Sequence, residues 1–80
     1  MPASHESRFP LTAARPGCWV RLARIEGNER IARRLAELGL TPGVELSVIQ
    51  GHGGPLVLAV RGSRLAIGRD TAANILVETV

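Results

Sequence analysis

Leu38-Gly39-Leu40-Thr41-Pro42-Gly43 closes an amphipathic helix and opens an all-β segment within six residues. Upstream, Ile31, Ala32, Leu35 and Leu38 recur at helical spacing, with Arg30, Arg33, Arg34 and Glu37 mostly on the polar side. Gly39 suits the left-handed position that ends a helix, and Leu40 can fold back onto the last turn. Pro42-Gly43 fits the centre of a type II turn, where proline presets φ and glycine accepts a positive one. After it, Val44, Leu46 and Val48 alternate as in a strand with one buried face. The stretch therefore predicts a helix held against a small β-structure by a rigid corner, the shape of a binding module.

Outward from that corner the chain reads as short strands. Residues 1–8 form a polar tail, with the domain expected over 9–80. Leu11-Thr12-Ala13-Ala14 suits one helical turn capped by Thr12, ending before Arg15-Pro16-Gly17. Cys18 to Ile25 reads as a first strand, in which Trp19 and Ile25 break the alternation and call for a bulge. The helix is expected from Asn28, a good N-cap, to Leu38, with Glu29 and Arg33 placed to pair at i,i+4. Val44–Gln50 gives a second strand, followed by the glycine-rich loop Gly51-His52-Gly53-Gly54-Pro55. Leu56–Arg61 and Arg64–Gly68 flank Gly62-Ser63 as a hairpin. Asp70 can cap a last helical turn through Asn74, and Ile75–Glu78 ends the chain as a strand. Five short strands with one inserted amphipathic helix predict a mainly β (α+β) fold, a small SH3-like barrel whose closure removes exposed edges.

Composition narrows the function. Eighty residues support one compact core, and the apolar residues are mostly Val, Ile, Leu and Ala, with one Phe and one Trp. All ten cationic side chains are Arg, yet the net charge is only +3. Such a surface permits an acidic partner without requiring nucleic acid. The scarcity of aromatics argues against base-stacking readers of single strands and against aromatic grooves for Pro-rich peptides. A single cysteine excludes an internal disulfide and fits a reducing compartment. With no signal-type apolar core and no run of about 18–20 apolar residues, a cytoplasmic location is expected.

No catalytic set stands out. Cys18, Ser47, Ser63 and Thr71 are the candidate nucleophiles, with His5 and His52 the candidate bases, and no recognised constellation joins them. The glycine-rich loop lacks the Lys-Ser/Thr of a phosphate cradle. His5, Glu6, His52 and Cys18 are weak metal candidates, far apart in sequence and without paired spacing, so no cofactor is required and only weak or adventitious binding of a divalent transition metal is expected.

Arg15-Pro16-Gly17, Arg24-Ile25-Glu26-Gly27, Arg34-Leu35, Glu37-Leu38-Gly39-Leu40 and Pro42-Gly43 occur in an order that resembles FeoA proteins. Arg64-Leu65-Ala66-Ile67 and Ala73-Asn74-Ile75-Leu76-Val77 extend the likeness over about residues 9–80. Cys18 and Trp19 depart from it, standing where smaller or polar residues are expected. The resemblance implies an SH3-like accessory protein of bacterial ferrous iron transport. It also implies a partner, the transporter FeoB, a polytopic membrane protein with a cytosolic GTPase domain. The same fold is fused to DtxR-type metal-dependent repressors; eighty residues do not accommodate their DNA-binding and dimerisation parts as well, so the stand-alone accessory protein is the expectation.

Contact with such a partner is expected through Arg30, Arg33, Arg34, Leu38 and Leu40 on the helix and corner, with Arg61, Arg64 and Arg69 near the last hairpin. Gly39, Pro42 and Gly43 are structural. A solvated arginine face, and core packing for Leu38 and Leu40, are the plainer readings of the same residues. An arginine finger on a GTPase is another use for such side chains, though the spacing singles out none of them. Two further functions stay open: a small nucleic-acid-binding barrel, and a metal sensor or chaperone. Weak homodimerisation is open as well.

Overall fold

Alternating apolar residues build one antiparallel sheet. The computed structural model describes residues 8–51 and 53–80. Its strands are β1 (Phe9–Pro10), β2 (Trp19–Ile25), β3 (Glu45–Gln50), β4 (Leu56–Val60), β5 (Ser63–Ile67) and β6 (Ile75–Thr79). The helix α1 (Glu29–Glu37) joins β2 to β3, and the short helix α2 (Arg69–Ala72) joins β5 to β6. Strand order is β1-β6-β2-β3-β4-β5, an SH3-like sheet that curls in a barrel-like way without closing.

There are thus six strands, one more than the pattern predicts. The extra one, β1, pairs Phe9 with Val77 and Pro10 with Leu76. Two residues are too few to show an alternation, and proline hides the strand further; it is tolerated because β1 is an edge. The 3-10 turn that follows, Leu11–Ala13, receives no side-chain cap from Thr12, and the residue before it is Pro10. Its role is to bury Leu11 completely under the sheet. Among the described residues the lack of closure leaves β1 and β5 as open edges, against the expectation that closure removes them.

The buried residues of the strands form the core. Val20, Leu22, Leu46, Val48, Leu58, Val60, Ile75 and Val77 are all buried there, with Leu35 of α1 and Leu40 of the corner packed among them. The bulge expected in β2 is present as a register shift between Leu22 and Arg24 against β6.

The corner is built as its residues dictate. Gly39 has φ of +91°, its N–H donates to the Ala36 carbonyl (2.9 Å), and the Leu40 N–H donates to the Leu35 carbonyl (2.9 Å). These two bonds are the Schellman closure, and Leu40 and Leu35 are both buried in the core cluster. At the other end, Asn28 caps α1 by accepting from the Ile31 N–H at 2.9 Å. The turn over Pro42-Gly43 closes with the Val44 N–H donating to the Thr41 carbonyl (3.1 Å), Gly43 taking φ of +96°. Gly43 then donates to the Leu22 carbonyl and Leu22 to the Val44 carbonyl, so the corner joins the β2–β3 ladder.

Two local details differ from expectation. Val60 pairs with Ser63, so the β4–β5 loop is Arg61-Gly62, one residue earlier than Gly62-Ser63. Both loop residues have positive φ, 51° and 80°, the type I′ geometry that matches strand twist. At α2 the N-cap is Gly68 with no side-chain cap, and Asp70 lies inside the first turn instead.

Candidate functional site

One face of α1 is buried and the other is not, and the helix end divides them. Leu35 is buried and Leu40 is 0% exposed, whereas Leu38 is 45% exposed. Leu40 is therefore a core residue with no surface for a partner, a correction to its place in the predicted contact set. Leu38 is the reverse, open to solvent.

Between α1 and the β5–α2 junction lies a groove of about 260 Å³. Ile31, Arg34, Leu35 and Leu38 form its helical wall, and Ala66, Ile67, Gly68 and Thr71 the opposite one. Sequence reasoning did not anticipate this second wall. It depends on β5 being at the sheet edge beside α1, and strand order is not written in hydrophobic periodicity.

The arginines divide into two groups. Arg21 pairs with Glu45 at 3.1 Å and Arg24 with Glu26 at 3.9 Å, the ion pairs among the described residues. Arg69 donates to the Gly51 carbonyl and is half-buried, so it ties α2 to the end of β3 and leaves the cationic surface predicted for it. Arg30, Arg33, Arg34, Arg61 and Arg64 are exposed and carry no ion pair among the described residues. The pair expected between Glu29 and Arg33 does not close. Arg34 reaches the groove, and Arg64 is two residues from Ala66 on the opposite wall. Arg61 stands apart at the hairpin tip, at the other end of β5.

Of the metal candidates, His5, Glu6 and His52 lie outside the described residues. Cys18 is exposed, on a separate cleft lined by Phe9, Ala13, Arg15, Val20 and Thr79. Among the described residues no three His, Cys, Asp or Glu side chains converge as a metal site would need. Next to Cys18, Trp19 is 52% exposed and alternates along β2 with the buried Val20 and Leu22. No helix among the described residues is long and apolar enough to cross a membrane.

This arrangement matches a known family. The model of the FeoA domain fits residues 9–79. The chain belongs to the FeoA family. It is 36% identical over 70 residues to a protein named for Fe(2+) transport, transport protein A of Methanocaldococcus jannaschii, covering 88% of this chain and 85% of that one. The crystal structure of an iron uptake regulatory protein, FeoA, superimposes with a TM-score of 0.86 at 32% identity, over 91% of this chain and 99% of the other. T. acidophilum IdeR gives 0.84 at 25% identity, over all of this chain and 36% of its own. The FeoA fold thus also occurs as one part of a larger protein, as the fusion to metal-dependent repressors led one to expect. FeoA proteins are accessory proteins of ferrous iron transport, not known as enzymes, and this chain is one of them.

Proposed function

We propose that this FeoA protein works on the cytosolic side of the membrane by docking on the cytosolic part of the ferrous iron transporter FeoB. In this reading it acts without catalysis and without a resident cofactor. The observation that carries the proposal is the unsatisfied face of α1. Three arginines and Leu38 are exposed there, while Arg21 and Arg24 on the sheet have carboxylate partners. A cationic rim around an apolar centre is how transient protein contacts combine steering with burial. Arg30 and Arg33 would chiefly raise the association rate, and Arg34 and Leu38 would hold the complex.

Calorimetric titration of the cognate FeoB in detergent, with and without a non-hydrolysable GTP analogue, tests it. Saturable binding that weakens in folded Arg33→Glu and Leu38→Glu variants is expected. No binding in either nucleotide state would remove the docking mechanism.

A further inference from the structure

The groove has a property that neither its arginine nor its leucine supplies: one of its walls is an open strand edge. Among the described residues β5 is the last strand of the sheet and pairs only with β4. Around a two-residue loop the flanking residues, Val60 and Ser63, form a hydrogen-bonded pair, and bonded and non-bonded pairs then alternate. Ser63, Leu65 and Ile67 therefore bond to Val60, Leu58 and Leu56. Arg64 and Ala66 sit in the non-bonded pairs, so their N–H and C=O groups point away from the sheet, toward the open edge. Both residues are exposed, and no backbone or side-chain hydrogen bond from α1 reaches them. Ala66 is also a groove-lining residue, opposite Arg34.

We infer that the groove is a strand-addition site: an extended, acidic segment of the partner pairs along β5 at Arg64 and Ala66, beneath α1. The inference rests on the docking proposed above and names what docks. Backbone pairing would occupy the outward groups, up to two hydrogen bonds at each of the two residues. Side chains of an added strand alternate between faces, so every second one turns into the groove, where Ile31, Leu38 and Ile67 offer apolar contact. A carboxylate on the segment meets Arg34, which has no ion-pair partner among the described residues, with Arg30 and Arg33 on the same helix. An acidic segment fits this charge; a basic one would be repelled. Small Ala66 at the centre of the edge, with Gly68 beyond it, leaves a second backbone room to approach.

Ala66→Pro tests the edge itself. It removes the outward N–H at residue 66 and leaves the β4–β5 ladder intact, since that N–H does not bond to β4. The experiment pairs amide exchange on this protein with binding of the intact transporter in detergent, and of overlapping short peptides from its cytosolic sequence. Transporter binding is expected to slow exchange at Arg64 and Ala66 by about tenfold or more, and one acidic peptide is expected to reproduce the effect. Ala66→Pro and Arg34→Glu are each expected to weaken binding by about tenfold, since each removes one polar anchor. Should Ala66→Pro fail to fold, the exchange data and Arg34→Glu decide. Full binding by folded Ala66→Pro while Arg34→Glu still binds weakly overturns the strand-addition site and leaves the docking reading standing; full binding by both variants, or protection confined to the Cys18 cleft, overturns the docking face as well. Absence of transporter binding to the unmodified protein overturns the docking reading, and this inference with it. Protection of the two amides that rises with protein concentration alone assigns the edge to a second copy and overturns the inference as well.

Discussion

Leu38 and Leu40 leave the end of α1 two residues apart, one 45% exposed and the other at 0%. The corner around Leu40 is saturated: the Schellman bonds, the Pro42-Gly43 turn and the ladder to Leu22 satisfy its backbone, and its side chain is buried in the core cluster with Leu35. The groove beside Leu38 is the opposite: among the described residues it has a cation without an ion pair, open apolar side chains and an unpaired strand edge. The difference is one of completion. A region whose polar and apolar groups are all met inside the chain serves stability, and one whose groups await partners serves recognition.

Substitutions on the two sides should separate cleanly. The largest stability effect is expected from Leu40→Ala, which opens a cavity in the core. A loss of about 2–5 kcal/mol is predicted, enough to lower Tm by more than about 10 °C in a domain of this size. Gly39→Ala comes next. A Cβ there meets no atom within 4 Å, so the cost is that of the positive φ alone, about 1–2 kcal/mol by denaturant titration. Asn28→Ala removes the cap from the Ile31 N–H and should cost about 1 kcal/mol in the same measurement. Arg21→Ala breaks an exposed ion pair and should cost less than about 1 kcal/mol. The smallest stability effect is predicted for Leu38→Ala, within about 0.5 kcal/mol, although it lies on the helix next to the corner. Its effect belongs on transporter affinity instead. A Leu38→Ala loss as large as that of Leu40→Ala would erase the distinction between the two regions.

The corner was legible in the sequence because its constraints are local. Gly39, Pro42 and Gly43 announce specific φ values, and α1 and the five strands β2–β6 follow from periodicity with boundaries shifted by a residue or so. β1 was not legible, being two residues long and containing a proline. The loop Arg61-Gly62 was read one residue late because Arg at positive φ gives no compositional signal, whereas Gly62-Ser63 does. The helical wall of the groove could be read from Ile31, Arg34, Leu35 and Leu38 at helical spacing. The opposite wall, Ala66 to Thr71, could not, because it arises from β5 standing at the edge next to α1. Arg69 shows the same limit: sequence places it with the other arginines, and only the fold turns it onto the Gly51 carbonyl.

The most direct test compares two charge-matched substitutions, Arg34→Gln and Arg21→Gln, by the affinity of each folded variant for FeoB. Both remove one positive charge, so a general loss of cationic steering would affect them alike. Docking through the unsatisfied face predicts that Arg34→Gln weakens binding by about tenfold and that Arg21→Gln changes it little. Equal losses, or a larger loss for Arg21→Gln, would contradict it.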